Sequence, residues 1–232
     1  MKQREYWQER IIDWEKACYD QASSESLPFI ERLANLFRGT VRYRRQLGLT
    51  ILAHKPRQRV LEVGCGSGAF ALILLNENVA QHVVGVDIST AAIQVANEKA
   101  SEHRMGDRVS FLASDLENLD FAALGQFDYV VGLGLTPYLT DREFARLFHA
   151  VGGASFLFDV HRKGFNFINV AHAFFRVVKG HPFYRLFHKR EIDAMLAGFG
   201  VTGYQWGSER GVDYIYRESA GEHDCSPPGN RE

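Results

Sequence analysis

Four apolar runs in this chain each end on residues able to hold a polar ligand. Val60, Leu61 and Val63 lead past Glu62 into Gly64-Cys65-Gly66-Ser67-Gly68. Val83-Val84-Gly85-Val86 ends at Asp87-Ile88-Ser89, and Val109 to Ala113 ends at Ser114-Asp115-Leu116. The fourth, Phe127 to Gly132, ends at Leu133-Gly134. Glycines at alternate positions let a backbone turn tightly and come close to a ligand. The apolar residues before them suit a buried parallel strand, and Ala69 to Asn76 reads as the helix that follows. The turn therefore sits at the carboxyl edge of a sheet, where open α/β folds bind ligands. Asp87 can accept hydrogen bonds from both hydroxyls of a ribose, and Ser89 is an N-cap candidate for the next helix.

Two cofactors compete for the glycine turn. Gly64, Gly66 and Ala69 satisfy the dinucleotide pattern GxGxxG/A, and Asp87 lies roughly 20 residues on, where the ribose-binding acid of that pattern belongs. Glu62 weighs the other way, because a carboxylate beside the turn repels a pyrophosphate and attracts the ammonium and sulfonium of S-adenosylmethionine. Glu62-Val63-Gly64-Cys65-Gly66-Ser67-Gly68 resembles the first motif of the class I S-adenosylmethionine-dependent methyltransferases, in its E/DxGxGxG form. That resemblance implies that Asp87 holds the ribose, that Asp115 holds the adenine amino group, and that the end of the fourth run lies under the reactive methyl. It extends the expected cofactor site to Glu62, Gly64, Cys65, Gly66, Gly68, Asp87, Ile88, Ser89, Asp115, Leu116 and Leu133, with S-adenosyl-L-homocysteine as the product form of the cofactor.

The resemblance further implies in-line attack on the methyl group, in which the protein contributes positioning first and proton removal second. Candidate groups stand at the ends of the fourth and fifth strands: Thr136, Tyr138, Asp159 and His161. His161 is the preferred base, since imidazole titrates near neutrality; surface capping is its bland alternative. Tyr138 and Asp159 complete the expected catalytic set. From Val160 to Arg190 the chain contains no Asp or Glu, yet seven Lys or Arg and seven aromatics. Apolar residues between Gly164 and Lys179 fall on one helical face and Asn169, His172, Arg176 and Lys179 on the other. This reads as a cap helix after the fifth strand, its basic face being either solvated surface or a pocket for an anionic substrate. Thr136, Tyr138, Arg176, Lys179 and Arg185 are the expected substrate contacts.

The elements that must position these residues alternate. Strands are expected near 60–64, 83–87, 109–114, 127–133, 155–160, 201–206 and 212–217, and helices near 69–77, 90–103, 117–124, 141–151 and 189–198. The fold class is α/β: a Rossmann-like, seven-stranded, mostly parallel sheet with helices on both faces. Residues 1–54 are expected to form an N-terminal helical extension, 55–218 the methyltransferase domain with a cap insertion at about 162–188, and 219–232 a disordered tail. Tyr6, Trp7, Ile11 and Trp14 recur at helical spacing in the extension, which in related enzymes folds across the cofactor site.

At 232 residues with 27 Lys and Arg against 28 Asp and Glu, the chain has the size of one domain and no global pull towards nucleic acid. Leu135-Thr136-Pro137-Tyr138 lacks the polar first residue and first proline of the motif with which amino-group enzymes hold a flipped base. A small, anionic or lipid-like acceptor is therefore expected, ahead of RNA or protein; a non-catalytic S-adenosylmethionine-binding regulatory subunit is the alternative. The absence of an apolar leader or a long apolar run points to a cytoplasmic protein without a transmembrane segment, leaving peripheral membrane contact open. Cys18, Cys65 and Cys225 are far apart and match no zinc spacing, so no metal is expected. The oligomeric state is not legible.

Overall fold

The computed structural model describes residues 3–19, 42–54, 57–163 and 184–218. The expected cap helix with Arg176 and Lys179, the tail 219–232 and the middle of the N-terminal extension lie outside the described residues. In chain order the elements are α1 (Gln3–Tyr19), α2 (42–52), β1 (Arg57–Val63), α3 (Ala69–Asn76), β2 (Ala80–Asp87), α4 (Thr90–Glu102) and β3 (Val109–Ala113). They continue with β4 (Tyr129–Gly132), a 3₁₀ turn (Thr136–Tyr138), α5 (Asp141–Val151), β5 (Ser155–Val160), α6 (Lys189–Gly198), β6 (Gln205–Glu209) and β7 (Val212–Arg217).

The seven strands form one sheet in the order β3-β2-β1-β4-β5-β7-β6. β1 to β5 run parallel, and β7 enters antiparallel between β5 and β6. All residues of β4 and β5 are buried, which explains their continuous apolar runs: helices cover both faces, so no strand position is left for water. Alternation divides each strand between two cores. Leu61, Val63, Phe156 and Phe158 face a cluster with Phe144, Leu147 and Phe148 of α5 and Ile192 and Leu196 of α6. Val60, Tyr129 and Leu157 face the other side, with Leu47 and Leu52 of α2 and Phe70, Leu74 and Leu75 of α3. Strand order reverses between β1 and β4, and at such a switch point the loops leaving the carboxyl ends diverge and open a crevice.

Two expected elements differ. Residues 117–124 form turns in place of a helix. Asp115 accepts hydrogen bonds from the backbone and side-chain N–H of Asn118, and Asp120 accepts from the backbone N–H groups of Ala122 and Ala123. These local carboxylate caps compete successfully with helical bonding. The sixth strand starts at Gln205 and not at 201, because Gly200 and Gly203 take positive φ values of 72° and 69° that no strand accommodates. Ser89 is the N-cap of α4 as expected, its hydroxyl accepting from Ala92 N–H at 3.2 Å.

Candidate active site

After β1 the chain coils through positive φ at Gly64 (75°), Gly66 (53°) and Gly68 (72°). A Cβ on Gly68 would stand 2.5 Å from the Phe111 ring, so packing as well as torsion excludes a side chain there. One carboxylate ties this turn to the end of β2. Asp87 Oδ2 accepts from Gly66 N–H at 2.9 Å, and its Oδ1 accepts from Ser89 N–H at 2.9 Å. Lys99 Nζ donates to Ser67 Oγ at 2.6 Å and holds the same turn from α4.

The remaining residues expected at the cofactor lie along this edge. Glu62 is buried on β1 at the level of Gly85 of β2 and Val131 of β4. Asp115 follows β3, and its Oδ2 accepts from Arg4 Nη2 of α1 at 2.6 Å. Cys65, Ser89 and Leu116 are buried, Leu133 packs against the α2–α3 core, and Ile88 packs with Tyr6, Trp7 and Ile11 of α1. α1 thus lies over the ends of β2 and β3, where Gln8 also hydrogen-bonds Thr90 at the start of α4.

A second group gathers at the ends of β4 and β5. Asp159, 1% exposed, sits opposite Arg44 of α2, with Arg44 Nε 3.0 Å from Asp159 Oδ2. Its Oδ1 accepts from Gly134 N–H at 2.5 Å. Arg44 Nη2 lies 2.6 Å from His161 Nε2, which is also 3.3 Å from Asp159 Oδ2, and His161 Nδ1 is hydrogen-bonded to the Tyr184 hydroxyl. Burial first and the Arg44 cation second hold the His161 imidazole below its ordinary range. Burial works in the opposite sense on Asp159. The Arg44 charge, the His161 contact and the Gly134 N–H together outweigh it and keep the carboxyl below its usual value.

α2 carries Arg44 to this place because its neighbours are anchored. Leu47 is buried one turn on, a Cβ on Gly48 would stand 3.0 Å from Phe70, and Tyr43 donates to Glu209 of β6 at 2.6 Å. An aromatic row connects the two groups: Trp7, Tyr138 and Tyr184 stand edge to face with ring centroids 5.1 and 5.3 Å apart. The other candidates have structural partners. Thr136 is fully buried and its hydroxyl donates to the Asp159 carbonyl at 2.6 Å, bracing the end of β5. Arg185 pairs with Asp141 at the start of α5 and lies over the Phe187 ring. Among the described residues no three metal-ligating side chains cluster, and no helix is long and apolar enough to cross a membrane.

This geometry can be set beside known proteins. Residues 60–153, the span from β1 through α5, match the family model described as a methyltransferase domain. They form a methyltransferase domain, and the sheet and its helices have the class I, Rossmann-like methyltransferase fold. The chain is 33% identical over 90 residues to release factor glutamine methyltransferase of Chlorobaculum tepidum, covering 38% of this chain and 30% of that protein. It is 34% identical over 94 residues to magnesium-protoporphyrin O-methyltransferase of Rhodobacter capsulatus, covering 40% and 39%. These matches span well under half of the relatives' lengths. The fold as a whole resembles magnesium protoporphyrin IX methyltransferase of Synechocystis PCC 6803 with bound SAH, at a TM-score of 0.62 and 19% identity over 92% of this chain and 97% of that one.

Sequence reasoning missed Arg44, Tyr184 and Arg4 as members of these groups. Arg44 stands 115 positions before Asp159 among other arginines, and nothing in its spacing signals the pairing. Trp7 carried a signal, the helical recurrence of aromatics in the first 14 residues.

Proposed function

We propose that this chain is an S-adenosylmethionine-dependent methyltransferase acting on a small, anionic or lipid-like acceptor. The observation that carries the cofactor reading is the use of the glycine turn. Gly66 N–H is already given to Asp87, and Glu62, Asp87 and Asp115 line the adjoining strand ends. A pyrophosphate needs free turn N–H groups and an absence of acids; hydroxyls, an adenine amino group and a sulfonium suit three carboxylates. The cradle left by Gly64, Gly66 and Gly68 and these acids therefore fit S-adenosylmethionine. Asp87 would hold the ribose, Asp115 the adenine amino group, and the turn with Glu62 the cationic methionine part. When bound, this cofactor supplies a methyl group activated by its sulfonium.

The chain's own residues do the rest. Trp7, Tyr138 and Tyr184 make an edge-to-face aromatic row between the cofactor end and His161, suited to placing an acceptor and excluding water. The acid-free run of Val160 to Arg190 supports an anionic acceptor by its sequence; among its described residues Arg162, Lys163, Arg185 and Lys189 pair with Asp213, Glu191, Asp141 and Asp193. Of the named relatives, one acts on magnesium-protoporphyrin, a small molecule, and the other on a release factor, a protein, so the small-acceptor reading rests on this chain's own residues. Calorimetry tests the cofactor assignment: S-adenosylhomocysteine should bind at micromolar strength or better, with no comparable heat from NAD or NADP. Tight dinucleotide binding would overturn it.

A further inference from the structure

A groove of about 1200 Å³ shares no residue with the glycine turn and runs between the turns at 117–124 and the side of α5. Leu119, Phe121, Ala145 and Phe199 supply its apolar lining, and Arg146 and His149, one turn apart on α5, stand among them. Gly125 and Gln126 precede β4, and Gly198 to Gly200 end α6, so the groove reaches the amino edge of the sheet, opposite the strand ends that carry Asp87 and Asp115. Turns lie where a helix was expected, and Phe121 and Phe199 are left half-buried. The space is large enough to take a small molecule between apolar walls and a few fixed polar groups.

The unspent polar groups there are donors. Arg146 donates Nε–H to Leu116 O at 2.9 Å and Nη2–H to Leu119 O at 2.8 Å. Those bonds hold the guanidinium plane in one orientation, while among the described residues Nη1 has no polar partner, nor has the exposed His149 imidazole. Acceptors nearby are largely taken. Asp120, the one acid among the described lining residues, gives Oδ1 to the N–H groups of Ala122 and Ala123. Ala154 N–H closes on Val151 O at the end of α5, and Gly200 and Val201 N–H close on Ala197 O and Leu196 O at the end of α6. We propose that this groove is a second binding site for an anionic, amphipathic small molecule: a planar aromatic carboxylate, with its rings against Phe121 and Phe199 and its oxygens on Arg146 Nη1 and His149. A guanidinium bonds a carboxylate more strongly than a neutral donor does, and one already held by two carbonyls has little rotamer freedom left to lose on binding. The site uses none of the residues assigned to the cofactor, so the proposal goes beyond the methyltransferase reading and stands apart from it.

Naphthoate tests the site in the full chain without cofactor, followed by NMR at the His149 imidazole and the Gly198 and Gly200 amides. It should shift all three and bind at about millimolar strength or tighter, the floor for a ligand of its size. Naphthol, the same rings without the carboxylate, should bind about tenfold more weakly. His149→Glu, at an exposed side chain, should weaken naphthoate about tenfold, and His149→Gln, whose amide N–H still donates, should stay within about threefold of the natural chain. Arg146→Met should cost about as much as His149→Glu where circular dichroism shows it folded; where it does not fold, His149→Glu decides. No shift at the three reporters, shifts confined to Trp7 and the cofactor edge, equal affinity for naphthol, or unchanged naphthoate affinity in His149→Glu each overturns the proposal. So does self-association in sedimentation that abolishes the shifts, since a second copy of the chain then covers the groove. S-adenosylhomocysteine affinity should be the same in His149→Glu as in the natural chain. If the natural chain fails to bind it, the methyltransferase reading falls and the naphthoate result still decides the groove.

Discussion

Asp87 is the residue whose loss should be felt twice. Its carboxylate accepts the Gly66 and Ser89 N–H groups at 2.9 Å each, and it is 9% exposed. Hydrogen bonds to a charged group contribute about 1.5–3 kcal/mol apiece, and orphaning a buried N–H costs about 1–3 kcal/mol. Asp87→Ala should therefore lower stability by about 2–4 kcal/mol, read as a fall in the urea midpoint at constant slope. The second effect is on the cofactor. With the ribose acceptors gone and the glycine turn untied, S-adenosylhomocysteine should bind roughly 30 to 1,000 times more weakly, equivalent to about 2–4 kcal/mol. Asp87→Asn keeps the shape and one acceptor oxygen, so it should fall between. Calorimetry at a temperature where circular dichroism shows each variant folded separates the two effects. A folded Asp87→Ala protein with an unchanged dissociation constant would remove Asp87 from the site, whatever its stability.

Gly68→Ala combines a left-handed φ of 72° with a Cβ 2.5 Å from Phe111, so thermal unfolding should shift down by an amount equivalent to about 1–3 kcal/mol, with S-adenosylhomocysteine binding impaired. Arg44→Leu should cost about 3–5 kcal/mol in chemical denaturation, because it leaves the Asp159 carboxylate buried without its cation; a loss under about 1 kcal/mol would show that the pair is not buried in solution. His161 is held below its ordinary value near 6.5, so the unfolded chain binds the extra proton first, and stability should be full above that pH and decline as pH falls through and below it. Asp159 is likewise depressed, and its contribution should be lost at more acidic pH, as pH falls from the usual carboxylate range through its lowered value. His161→Asn should flatten the first decline and leave the second. Reversing Arg176, Lys179 and Arg185 to Glu should weaken capture of an anionic acceptor and its salt dependence; since Arg185 pairs with Asp141, that reversal alone should also destabilise the start of α5.

The parts of the fold that were legible in the sequence are those built from local pattern. Continuous apolar runs specify strands buried on both faces, as in β4 and β5, and the residues at their ends follow the strands to one edge of the sheet. Glu62, the three glycines, Asp87 and Asp115 could therefore be placed together, because a parallel sheet with crossover helices sends every strand end the same way. Ser89 as a helix cap was legible for the same reason: its partner is three residues away. The helix expected at 117–124 failed because Asp115 and Asp120 spend their oxygens on nearby N–H groups, an outcome that apolar spacing does not encode. Tertiary packing alone decided the rest. Arg44 reaches Asp159 and His161 only because Leu47 and Gly48 seat α2 against Phe70, and Trp7 meets Tyr138 only because α1 lies on α4. The identity of a titrating group is written in the sequence, but the position of its proton is set by what the fold brings against it. For His161 that is a guanidinium 2.6 Å from one nitrogen and a phenol on the other.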